Sequence, residues 1–131
     1  MVDTSHIGKI FPPFEAEVEK GAIVKFADAV GDPNPLFSDR KGDMEAPPSF
    51  GTTFRDPEGF FKTFRDLDID LTKVLHGEEE YEYFAPINPG DVLTCRTKVA
   101  NVYEKSGKSG NMAFVVMEME CKNPTGKLVL I

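Results

Sequence analysis

FADAVGDPNPLF, residues 26–37, ends a helix and opens a tight polar turn. Upstream of Gly31, Ile23, Phe26, Ala27 and Val30 recur at i, i+3, i+4 and i+7, the spacing that puts apolar side chains on one helical face. A helix from about Lys20 to Val30, packed on a core, is predicted. Gly31 can take a positive φ and stop it, and Pro33 and Pro35 cannot continue it. Asp32 and Asn34, interleaved with those prolines, favour turn geometry and can bond their own backbone. On the residues alone they are turn and cap residues.

Before this stretch, residues 8–19 alternate loosely, with Ile10, Phe14, Ala16 and Val18 against Glu15, Glu17 and Glu19. This pattern predicts a half-exposed edge strand interrupted by Pro12 and Pro13. After it, residues 38–45 are polar and aperiodic, a surface loop. From Ser49 the chain is rich in phenylalanine: Phe50, Phe54, Phe60, Phe61 and Phe64 lie near helical spacing, broken by Pro57 and Gly59. A kinked or two-part helix is expected, with Pro48 and Ser49 at its start and its aromatic face filling the core or lining a roomy pocket. Gly51, near that start, suits either close helix packing or a backbone N–H presented to a carbonyl oxygen.

Residues 67–75 read as a loop with at most a short helical turn. Glu78, Glu80 and Glu82 alternate with Glu79, Tyr81 and Tyr83, predicting a strand with one acidic and one largely aromatic face. Residues 86–91 are a turn by composition. Leu93, Cys95, Thr97 and Val99, then Val115, Met117, Met119 and Cys121, each alternate with polar neighbours. Two half-buried strands joined by the 106–111 hairpin loop follow. The apolar Leu-Val-Leu-Ile ending suggests one more strand, an edge completed by a partner or an ordered region that ends early. Strand, helix, aromatic helix and then antiparallel strands is an α+β order.

A chain of 131 residues, 40% hydrophobic with eleven phenylalanines, is read as one domain over 1–131 that buries roughly two-thirds of its extended surface. No apolar run approaches the length of a membrane span, and the N-terminus lacks a basic region followed by an apolar one, so a cytoplasmic location is expected. Cys95 and Cys121, on apolar strand faces without C-x-x-C spacing, are expected to be buried free thiols, with no metal site. A net charge of −7 argues against nucleic acid and against anionic membranes. Lys and Arg are present at Arg40, Lys41, Arg55, Lys62, Arg65, Lys105 and Lys108 without forming a diagnostic cluster for a polyanionic ligand.

Gly31-Asp32-Pro33-Asn34-Pro35-Leu36 resembles the G-D-x-N-P-[aliphatic] core of the MaoC-like dehydratases, (R)-specific enoyl-CoA hydratases. The segments at 46–50, 76–93 and 102–118 resemble the N-terminal, FAS1-like dehydratase branch of that superfamily. The resemblance implies a hotdog fold, a curved antiparallel sheet wrapped around a long central helix, for which 49–64 is the candidate. It implies an acyl thioester substrate, carrying coenzyme A or acyl carrier protein, and no separate cofactor.

Carried over by position, Asp32 and Asn34 are the candidate catalytic residues, and Phe37 stands where the family has its catalytic histidine. Phe37, Ser49, Phe50, Gly51 and His76 are candidate substrate-binding residues. The other histidine, His6, falls in a start expected to be disordered. Three readings follow: the acyl-binding half of a hydratase whose histidine comes from a partner MaoC-like subunit; a self-sufficient hydratase or hotdog thioesterase using Asp32; or a non-enzymatic acyl-CoA or partner-binding module. Association as a homodimer or heterodimer is expected in each, because one hotdog unit leaves a sheet edge open.

Overall fold

A computed structural model describes residues 3–37, 44–56 and 59–131. Strand β1 (Phe14–Glu17) leads into helix α1 (Lys20–Val30), and helix α2 (Phe60–Asp66) precedes strands β2 (Val92–Gly107), β3 (Gly110–Lys122) and β4 (Leu128–Leu130). The four strands form one antiparallel sheet in the order β1-β2-β3-β4. The alternation read in β2 is observed: Leu93, Cys95 and Val99 are buried, while Thr94, Arg96 and Lys98 face solvent. A bulge at Ala100 adds one residue to β2. It resets the pleat, so that Val99 and Val102, three apart, both point inward.

Helix α1 lies on the inner face of the sheet and carries Ile23 and Ala27 into a core with Leu93, Cys95, Cys121, Val129 and Leu130. It is the longest helix among the described residues. The aromatic segment proposed as the central helix is instead two pieces, a 3-10 turn over Phe50–Thr53 and the seven-residue α2. Phe50 and Phe54 reach the core, but Phe61 is 64% exposed, so the aromatic spacing ran ahead of the packing. Pro57 and Glu58 lie outside the described residues, as does most of the 38–45 loop. Leu67, just past α2, anchors a second cluster with Phe11, Val99 and Val102.

Three further expectations are corrected. The segment with His6 is ordered: a 3-10 turn at Thr4–His6 is capped by Asp3, whose Oδ1 accepts from Ser5 N–H at 2.8 Å. The Gly8 N–H then donates to Val99 O at 2.8 Å, tying this start to β2. The strand expected at 78–83 is reduced to a short pairing at 82–84, where Glu82 exchanges hydrogen bonds with Ile131 and Phe84 N–H donates to Val129 O. The same pairing covers the outer side of β4, so the edge at the apolar ending is completed from within the chain. Among the described residues no helix is long and apolar enough to cross a membrane.

Candidate functional site

The turn after α1 is held by its own backbone. Gly31 is left-handed (φ 73°, ψ 28°), a conformation that costs glycine little. The Gly31 N–H donates to Asp28 O at 3.1 Å and the Asp32 N–H to Ala27 O at 3.0 Å, the paired closure that satisfies the last carbonyls of a helix. Two Asx turns follow. Asp32 Oδ1 accepts from Asn34 N–H at 3.0 Å, and Asn34 Oδ1 accepts from Leu36 N–H at 3.0 Å. Residues 31–36 are exposed. Phe37 turns the other way, 6% exposed in the main core.

Each side chain of this motif therefore has a local structural task. Asp32 presents its second carboxylate oxygen to solvent. No hydrogen bond or ion pair among the described residues joins it to a histidine.

Around the 3-10 turn at Phe50–Thr53 the other candidates gather. Phe50 packs edge-to-face on Phe26 of α1 and on Phe54, with ring centroids 5.5 and 5.7 Å away. Gly51 is buried, and a Cβ there would lie 2.8 Å from Leu130 Cδ2 and 3.0 Å from Tyr81 Cε1. Close packing therefore requires glycine at this point. Ser49 is exposed at the start of the turn and its side chain makes no cap bond.

Residues 76–83 form a strap over this turn. Glu79 is its hub: one carboxylate oxygen lies 3.0 Å from His76 Nε2 and accepts from Thr52 Oγ1 at 3.5 Å, and the other accepts from the Tyr81 hydroxyl. Tyr83 closes the strap by donating its hydroxyl to Pro48 O.

Sequence reasoning missed Glu79, Thr52, Tyr81 and Tyr83 as site residues. The Glu–Tyr alternation was visible, but it was attributed to a strand, whereas the tyrosines alternate because they reach down onto the 48–52 turn. His76 is brought beside Gly51 through Glu79 and Thr52. Asp32 and Asn34 sit apart from it on the surface.

An open cavity of about 370 Å³ adjoins the strap, lined by Glu45, Ala46, Pro48, Tyr83, Ala85, Pro86 and Ile87, within the size range of small-molecule pockets. Its wall is hydrogen-bonded to both neighbours: Glu45 N–H to Leu36 O at 3.1 Å and Ala46 N–H to Ile87 O at 2.8 Å. The first of these bonds ties the cavity wall to the Asp32–Phe37 turn, none of whose residues lines the cavity. Its lining is apolar apart from Glu45 and the Tyr83 hydroxyl.

Tyr83 is 37% exposed overall, but burial, with the nearby Cys121 thiol adding to it, pushes the phenol up from 10.0 to about 12. The unfolded chain releases that proton first, so the stabilisation is complete below pH 10.0 and is lost as pH rises toward about 12. A tyrosinate absorbance titration should show a step at about 12 that Tyr83→Phe removes. A wild-type chain without that step would contradict the buried phenol.

One antiparallel sheet packed on α1 is the architecture of a hotdog domain. The family model for the FAS1-like, dehydratase domain region matches residues 5–131, and the chain belongs to that family. A UPF0336 protein of Thermobifida fusca is 30% identical over 146 aligned positions, covering 98% of this chain and 88% of that protein. A UPF0336 protein of Streptomyces avermitilis is 31% identical, covering 81% and 77%.

Among solved structures, the HadBC (3R-hydroxyacyl-ACP dehydratase) complex of Mycobacterium tuberculosis is similar with a TM-score of 0.77 at 26% identity, over 95% of this chain and 91% of that one. The ChsH1–ChsH2 complex of the same organism shares the fold, with a TM-score of 0.64 at 16% identity over the same shares of the two chains. Both of these neighbours are complexes of two different subunits.

Proposed function

We infer that this chain is the acyl-binding half of an (R)-specific enoyl-thioester hydratase, or of the reverse 3-hydroxyacyl dehydratase, and that a partner MaoC-like subunit supplies the catalytic histidine. Hydration needs a base to activate water, an acid to protonate Cα and donors for the enolate oxygen. The observation that carries the reading is Phe37. It occupies the position after the G-D-x-N-P-[aliphatic] motif, it cannot move a proton, and it is packed into the core. Asp32, alone beside it, closes an Asx turn. The apolar cavity lined by Pro48, Tyr83, Ala85, Pro86 and Ile87 is the place for the acyl group. The thioester carrier, coenzyme A or acyl carrier protein, remains outside it in solvent.

A second reading has one observation in its favour. His76 is paired with Glu79 at 3.0 Å beside the Gly51 turn, as a self-sufficient hydratase or thioesterase would place a base.

Both readings are tested by following the enoyl-thioester absorbance of a short and a long trans-2-enoyl-CoA. The chain alone should give negligible hydration. Adding a MaoC-like subunit should raise the rate by about 10²-fold or more, the worth of one positioned proton-transfer group. Asp32→Ala in that complex should change the rate less than tenfold. A rate from the chain alone that His76→Ala abolishes would establish the second reading. Acyl-CoA binding without turnover in any pairing would leave a non-enzymatic module.

A further inference from the structure

Cys95 and Cys121 stand directly opposite one another in the β2–β3 ladder. Both are free and 0% exposed, with their sulfurs 3.2 Å apart. Opposed residues of an antiparallel pair have Cα atoms about 4.5–5.5 Å apart, within the span that a disulfide bridges. The chain contains these two cysteines and no others, so no third thiol competes for either. They occupy one row of the sheet's inner face, Phe14–Cys95–Cys121–Leu130. Leu130, at the end of that row, is the side chain against which Gly51 packs and the residue bridged to Tyr83.

We propose that Cys95 and Cys121 form a reversible dithiol–disulfide couple, oxidised by a small peroxide, that fastens β2 to β3 in the core row beneath the Gly51 turn. One thiolate attacks a peroxide oxygen: an S–O bond forms, the O–O bond breaks and hydroxide leaves. The second thiol then attacks that sulfur, the S–S bond forms, the S–O bond breaks and water leaves. Two thiols and one hydrogen peroxide give one disulfide and two waters. A thiol reductant reverses the step by exchange.

The bonded Cys95 thiol and burial hold the Cys121 thiol far above its ordinary range. Thiolate is therefore scarce in the closed state, and oxidation proceeds through local opening of the ribbon. The couple responds to sustained oxidation and is insulated from brief exposure.

The test is to incubate the folded chain with hydrogen peroxide in native buffer, then alkylate in denaturant and weigh the intact protein. The expected result is loss of both alkylation sites and of two hydrogens per chain, in a monomer. Trypsin should release the peptide 74–96 joined to the peptide 109–122, and a reductant should separate them. The oxidised chain should melt about 10–15 °C above the reduced one, as a cross-link of this loop size implies. Both thiols still alkylated after prolonged oxidation, sulfinic or sulfonic acids in place of the bridge, or chain-to-chain disulfides would each overturn the couple. An oxidised chain that melts no higher than the reduced one would overturn the fastening.

Discussion

Phe50→Ala is expected to lower stability by about 3–5 kcal/mol, the range for deleting a buried aromatic side chain. Phe50 is 2% exposed, and its ring packs between Phe26 of α1 and Phe54. Both contacts are edge-to-face at an interplanar angle of 84°, the favoured aromatic arrangement. Nothing polar is available to fill the hole. The neighbouring Gly51 cannot slide in, because Leu130 and Tyr81 already press on it. Urea denaturation of the purified variant measures the loss, and a loss below about 1 kcal/mol would mean that the 48–54 turn collapses freely onto the core.

Leu67→Ala should cost about 2–5 kcal/mol by the same mechanism at a different place. Leu67 is 0% exposed and sits just past α2, where Asp68 takes a left-handed φ of 56° and turns the chain back. Its neighbours are Phe11, Val99 and Val102, with Ile69 and Val115 at the margin. That cluster holds the chain start and the connection after α2 onto the middle of the β2–β3 ribbon. Hydrogen exchange should therefore quicken first at residues 8–11 and 97–102. It should leave residues 92–95 and 121 close to wild type. Since the two clusters share no buried residue, the Phe50 and Leu67 losses should add to within about 0.5 kcal/mol. Strong non-additivity would show that the clusters are one core.

What was legible in the sequence was whatever depended on neighbours in the chain. Helix α1 ends at Val30 because Gly31 follows, and β2 and β3 alternate as read because one face of each meets the core. The burial of Cys95 and Cys121 followed from that same alternation. Contacts between distant segments were opaque. The tyrosines at 81 and 83 gave a period of two because they clasp Pro48 and cover Gly51, some thirty residues upstream, and local pattern cannot distinguish that from a ladder. The phenylalanine spacing from 50 to 64 suggested one broken helix, while packing divided it between a buried turn and a short helix with Phe61 outside. His6 looked like part of a loose end, since its anchor, the Val99 carbonyl, lies more than ninety residues away. At the site, a phenylalanine at 37 where the resembled family has histidine was readable from the motif, but the Glu79 hub was not, because Thr52 lies 27 residues away and meets it only in the fold.

The short 82–84 pairing that covers β4 also sets the charge of the sheet edge that it leaves open. Glu82 and Phe84 spend their backbone bonds on Val129 and Ile131, which leaves the backbone groups of Tyr83 facing outward. Among the described residues no strand lies beyond. Glu78, Glu80 and Glu82 are exposed along this edge and its approach. Two identical copies meeting at this edge would bring their acidic segments near one another, and like charges across a strand pair are destabilising. An edge with neutral or basic side chains meets no such repulsion.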